Sequence, residues 1–212
     1  MACEVLAGAC ALPRRMLNPY RTESFRMVRE IVIWPDPVLK EIAKPVDTVD
    51  DTIRRILDDM AETMYAADGV GLAAPQIGVS KRLIVIDVSP REPEQKLIHL
   101  VNPEIVKLEG KMTYTEGCLS VPGEAEDVDR AAKIWIRALG RDGKPFELVA
   151  ENDLLTVALQ HEHDHLQGTL FVDHLSSLKR ELIRRRMKRL KEERATESPD
   201  EVRRATRHES AL

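Results

Sequence analysis

The sequence predicts an α+β fold: antiparallel β-sheets around a central helix that carries H-E-x-x-H, with an N-terminal helix before the strands and a C-terminal amphipathic helix after them. Three observations predict it. Ile53, Ile56, Leu57, Met60 and Met64 recur at helical spacing between Asp51 and Ala67. The middle of the chain alternates short apolar runs with turn residues. A second apolar stretch, Leu154, Leu155, Val157 and Ala158, then leads into Gln160-His161-Glu162-His163-Asp164-His165.

Each element follows in order. Residues 1–27 read as a loose arm, and organised sequence begins just after Met27. Met16 and Met27 are therefore alternative start positions. Leu6-Ala7-Gly8-Ala9-Cys10 has no basic residue before it and is interrupted by Glu4, so it does not read as an export signal. Ile31-Val32-Ile33-Trp34 is apolar and is broken by Pro35-Asp36-Pro37. The first helix has Asp50 or Asp51 to cap it and Gly69 to end it.

Gly69-Val70-Gly71-Leu72-Ala73-Ala74-Pro75-Gln76-Ile77-Gly78 is a Gly-rich loop without the residues of a phosphate-binding pattern. Leu83 to Val88 and Leu97 to Val101 read as strands. Lys133 to Leu139 and Phe146 to Ala150 flank Asp142-Gly143, a hairpin signal. Asn152 or Asp153 caps the H-E-x-x-H helix. Leu175, Leu178, Leu182, Met187 and Leu190 mark the C-terminal helix, which is rich in Arg and Lys. From about residue 191 to 212 the chain reads as a charged, disordered tail, leaving 28–190 as the organised domain.

Composition narrows the class. A chain of 212 residues is long enough for one domain with a sizeable core. A formal net charge of -4 argues against general affinity for DNA. No apolar run approaches the roughly 20 residues that cross a bilayer. Cys3, Cys10 and Cys118 are an odd, sparse set and not a disulfide framework, which suits a reducing cytoplasm.

The chemistry begins with His161 and His165. Four residues apart on a helix, two imidazoles stack on one face and can grip one metal ion, with Glu162 in reach of a water on it. The run before them is apolar, so these polar groups sit on a buried helix, where they would be costly without a partner such as a metal. His163 points elsewhere, because residues two apart diverge by about 200° on a helix. His99 and His174 have no such context and read as structural or exposed.

The third ligand decides the class. One large protease group reads H-E-x-x-H-x-x-G-x-x-H. This chain matches through Gly168 and then has Phe171, which removes that ligand. Glu181 is the nearest carboxylate of the kind another protease group uses, at short spacing and in basic surroundings. Cys118, expected in a loop between strands, is the better candidate, since a thiolate binds a borderline metal well. Read alone, it is equally a small buried apolar residue.

Three segments now stand together: Gly69 to Gln76, Glu116-Gly117-Cys118-Leu119-Ser120, and Gln160 to His165. In this order they resemble the three signature motifs of the peptide deformylases, and Trp34-Pro35-Asp36-Pro37-Val38-Leu39 resembles that family's start. The resemblance runs from about residue 28 to 190. It implies an enzyme that removes the formyl group from the N-terminal formylmethionine of newly synthesised polypeptides and releases formate. It implies that Cys118, His161 and His165 bind the metal, with Fe2+ native and Zn2+, Ni2+ or Co2+ as substitutes. It implies that Glu162 is the general acid/base and that the Gln76 amide and Leu119 N–H steady the oxyanion. It further implies that Val70, Gly71, Leu119, Leu154, Val157, Ala158 and His161 line the methionine slot.

His163 stands where relatives are usually apolar. The acidic run Glu124-Ala125-Glu126-Asp127 is unusual in its charge; bordering the substrate groove, it would favour basic residues after the methionine. The basic run Arg184-Arg185-Arg186 with Lys188 and Arg189 reads as a solvated helix face, or as a docking face for something anionic such as ribosomal RNA. Two rival functions are a metalloendopeptidase and a metal-binding module that is no enzyme. Phe171 argues against the first. Glu162 and Gln76 argue against the second, because a purely structural site needs neither an acid/base nor an oxyanion donor.

Overall fold

The computed structural model describes residues 27–89 and 96–196. The expected arm, apart from Met27, and the expected tail beyond residue 196 lie outside the described residues. Among the described residues no helix is long and apolar enough to cross a membrane.

The first helix, α1, spans Asp51–Ala66. Asp50 caps it by accepting from the Ile53 N–H at 2.8 Å. Its other end lies one residue short of the expectation: Asp68, at φ 52°, takes the left-handed turn expected of Gly69. The Gly-rich segment is more ordered than a loop. It forms a short strand, β1 (Gly71–Ala73), and a 3-10 turn, Ala74–Ile77.

Strands β2 (Leu83–Ile86), β3 (Ile98–Glu109), β4 (Met112–Cys118), β5 (Val121–Arg130), β6 (Lys133–Leu139) and β7 (Pro145–Glu151) follow. A five-stranded antiparallel sheet runs β1-β2-β3-β6-β7, and β4 pairs with β5 as a separate two-stranded sheet. The β4–β5 hairpin was not expected from the sequence, and β3 runs well past Val101. The turn at Asp142-Gly143 is as expected: Gly143 has φ 80° and Gly140 N–H bonds Lys144 C=O at 2.8 Å.

Helix α2 spans Leu154–Leu166, capped by Asp153, which accepts from the Thr156 N–H at 2.7 Å. Helix α3 spans Ser177–Thr196, so it continues past residue 190, where the tail was expected to start.

Why the LIVI run of β2 is apolar throughout becomes clear from the layers. Leu83 and Val85 face α1 and pack with Leu57, Met60 and Met64. Ile84 and Ile86 face the other way and pack with Leu155 and Leu159 of α2. Both faces of the strand are covered, so alternation disappears. A third cluster joins Trp34, Leu39, Val121, Val128, Phe171, Ile183 and Met187, and it seats α3 on β5. The sheet thus holds α2 from one side, while β4 brings its own end up to the polar face of that helix.

Candidate active site

Glu116 and Cys118 lie two residues apart on β4, a spacing that puts both on one face of a strand. Cys118 therefore ends a strand and does not sit in a loop. Its Sγ lies 3.3 Å from His165 Nε2. The ligand atoms of Cys118, His161 and His165 all lie within 4.8 Å of one another. His161 Nδ1 is 2.9 Å from Glu116 Oε2, which leaves its other ring nitrogen free to bind elsewhere. Phe171, in place of the protease histidine, stacks against the His161 ring at 6.3 Å between centroids.

Glu116 is held in turn by Arg130, whose Nε and second terminal nitrogen donate to its two oxygens at 2.6 and 2.9 Å. Arg130 also donates to Asp164 at 2.6 Å, and His174 Nε2 lies 2.8 Å from the same Asp164 oxygen. Burial would raise the Glu116 carboxyl, but the hydrogen bonds from Arg130 and His161 outweigh it and hold it below its usual range. The sequence reading assigned these four residues no role. The signal for Glu116 was its spacing from Cys118, visible only once that segment is read as a strand. For Arg130, Asp164 and His174 no local pattern announces that they meet.

Glu162 is buried, and burial pushes its carboxyl up to about 7. Among the described residues, its Oε2 and His165 Nδ1 are the buried side-chain polar atoms with no hydrogen-bond partner. A Cβ on Gly71 would come within 2.4 Å of Glu162 Oε1, so only glycine leaves that carboxylate its position. Gln76 Oε1 accepts from Ala73 N–H at 2.8 Å. That bond turns the amide so that Nε2 faces Ser120 Oγ at 3.3 Å and Cys118 Sγ at 3.6 Å.

These groups border an open cleft of about 770 Å³. Val70, Gly71, Gln76, Cys118, Leu119, Leu154, Val157, His161 and Glu162, all expected at the site, line it. Ala158 does not. Leu154, Val157 and His161 follow one another at helical spacing and share the cleft face of α2, whereas Ala158 is packed into the core with Leu155 and Leu159. His163 is half-buried and lies outside both the ligand group and the lining. Half-buried His99 likewise joins neither.

The donor set fits a metal. A thiol and two imidazoles converge, one imidazole is already oriented by a carboxylate, and an unpartnered carboxylate oxygen waits beside them. Equipment of this kind defines the class of metal-dependent hydrolases. Comparison with known proteins gives the particular family. Residues 28–181 match the model of the polypeptide deformylase family. A peptide deformylase of Azotobacter vinelandii is 58% identical over 160 residues, covering 75% of this chain and 94% of that protein. Among solved structures, a peptide deformylase of Legionella pneumophila aligns with TM-score 0.74 and 50% identity, over 81% of this chain and 99% of that one. One from Ehrlichia chaffeensis, in complex with actinonin, aligns with TM-score 0.74 and 40% identity, over 77% and 97%.

The chain belongs to the polypeptide deformylase family. Enzymes of this family are metal-dependent hydrolases that take the N-formyl group off nascent polypeptides, and this chain is one of them.

Proposed function

We propose that Cys118, His161 and His165 hold the catalytic metal and that Glu162 works beside it as general acid/base. The observation that carries this reading is the convergence of three ligand atoms within 4.8 Å next to the buried, unpartnered Oε2 of Glu162. When bound, the ion supplies Lewis acidity, which polarises the formyl carbonyl and makes water acidic enough to attack near neutral pH. Glu162 takes the proton of the attacking water and passes it to the leaving amine. The Gln76 Nε2–H and the Leu119 backbone N–H donate to the oxygen that becomes negative; one such donor is worth about 3 kcal/mol. Val70, Gly71, Leu154 and Val157 form the slot for the methionine side chain. The products are formate and a peptide with a free N-terminal methionine.

The native ion in this reading is Fe2+, with Zn2+, Ni2+ or Co2+ as substitutes, since one thiolate and two imidazoles suit all of them. Activity of the iron form is then lost in air, through oxidation of the metal or of Cys118. Full activity after hours of aerobic storage would contradict that assignment. Residues 28–190 act as the catalytic domain, and the work is done in the cytoplasm, where new chains emerge. Arg184, Arg185, Lys188 and Arg189 are exposed, with exposed glutamates of their own helix as partners. Such pairs are weak, which supports a role in meeting anionic ribosomal RNA.

The test is formate release from formyl-Met-Ala-Ser by protein purified anaerobically with iron. Fast release is expected, falling by about 100-fold or more in Glu162→Ala, the usual range for a lost acid/base. Metal content should stay intact in that variant. No release from a protein with full iron would leave the ligands in place and move the search to other amides.

A further inference from the structure

We propose that the Glu124–Arg186 ion pair sets the charge of the outer end of the cleft and makes the enzyme indifferent to charge in the residues after methionine. The inference rests on the reading above, because it takes the cleft as the peptide site.

Glu124 and Ala125 of β5 are among the residues that line the cleft. The acidic run was expected to favour basic peptides. Its two glutamates are paired with cations, however. Arg186 of α3 grips both oxygens of Glu124 through Nε and a terminal nitrogen. Two residues along, Lys179 Nζ meets Glu126 at 2.6 Å. Asp127 accepts from Thr115 Oγ1 at 2.6 Å. The Glu124 side chain is 14% exposed against 47% for Arg186, so the acid lies beneath and the cation covers it from outside.

Arg186 is held there by the packing of its helix. Ile183 and Met187, three residues before it and one after, are the buried anchors of α3 against β5. A planar guanidinium so fixed presents a fork that matches a carboxylate, and a bidentate pair presents little net charge to a passing peptide. A lone carboxylate at this rim would attract cationic chains and repel anionic ones. An enzyme that meets the beginnings of many different nascent chains works more evenly without that bias.

The experiment compares kcat/KM for formyl-Met-Ala-Lys and formyl-Met-Ala-Glu, both amidated, at low ionic strength, in the iron enzyme. Wild type should treat the two about equally. Arg186→Gln bares Glu124 and should shift the ratio about threefold toward lysine, the size of one exposed charge contact. Glu124→Gln bares Arg186 and should shift it about threefold toward glutamate. Arg186→Lys and the double variant should stay near wild type, and the single-variant shifts should shrink in high salt. A ratio cancels general loss of active protein, and either single variant suffices should the other not fold. Single variants that leave the ratio unchanged, or move it in the same direction, overturn the proposal. Wild-type protein that releases formate from neither peptide would instead overturn the reading of the site.

Discussion

Helices α2 and α3 treat polar residues in opposite ways. Of the 13 residues of α2, ten are buried, among them Thr156, Gln160, His161, Glu162 and His165. In the 20-residue α3 the buried side chains among the described ones are Ile183 and Met187. Taking a polar group out of water without a partner costs several kcal/mol, so each buried one in α2 has a reason on the page. Thr156 donates to its cap Asp153, Gln160 bridges the backbone of Ala131, His161 meets Glu116, Glu162 faces the cleft, and His165 Nε2 meets Cys118 Sγ. The charges of α3 carry no such demand, and most pair one helical turn away in solvent. Chemistry is concentrated where burial makes polarity expensive. Besides its apolar anchors, cations that reach beyond their own helix, among them Arg186, Lys179, Lys191 and Arg180, tie α3 to the rest of the fold.

The largest expected effect that would break or sharpen this contrast lies beneath α2. Arg130 is buried between Glu116 and Asp164. Removing one partner of such a network leaves charge stranded, so Arg130→Ala should lose about 3–5 kcal/mol in urea unfolding. Metal affinity should fall by about 10- to 100-fold with it, as Glu116 loses its hold on His161. A loss below about 1 kcal/mol would mean that water reaches the carboxylates, and that α2 is less different from α3 than its burial suggests.

Next comes Gly71→Ala. Its Cβ would lie 2.4 Å from Oε1 and 2.9 Å from Cγ of Glu162, so the carboxylate must move. A displacement of that order should lower kcat about 100-fold, while metal content holds. An unchanged kcat would show that the acid/base role tolerates a shifted Glu162.

Much of this contrast was legible in the sequence. The H-E-x-x-H spacing gave α2 and its ligand face, and the apolar residues before it gave the burial. The apolar period gave α1, and Asp142-Gly143 gave the β6–β7 hairpin. The β4–β5 hairpin was not legible, because Glu116 and Arg130 are charged at its buried positions and Glu124 and Glu126 at half-buried ones, where an alternating strand would be apolar. With that hairpin went the support under His161. Glu116 and Arg130 meet through the pairing of two strands, and Asp164 through a helix 34 residues further on, a distance no local pattern reports. The cations that meet Glu124 and Glu126 were hidden for the same reason: Arg186 and Lys179 sit on α3, 62 and 53 residues away.

The smallest effect tests the far end of α3. Lys191 Nζ reaches Asp36 at 2.8 Å, and Asp36 also accepts from the Val38 N–H at the start of the Pro37–Lys40 turn. The hydrogen bond from Lys191, followed by that from Val38 and the lysine charge, holds the Asp36 carboxyl below its usual value of 3.8 against the opposing pull of burial. A depressed carboxyl contributes stability that is present above its unfolded pKa and fades as pH falls through the lower folded one. The contact should therefore help at neutral pH and fade as pH falls below about 3.8. Both side chains are partly exposed, so the gain should not exceed about 0.5 kcal/mol. Amide exchange in the last turns of α3 can read it. Wild type should exchange slightly more slowly than Asp36→Asn at pH 7, and the gap should narrow as pH falls below about 3.8. Equal exchange at pH 7 would mean that the Lys191–Asp36 pair adds nothing to the hold on this end of α3.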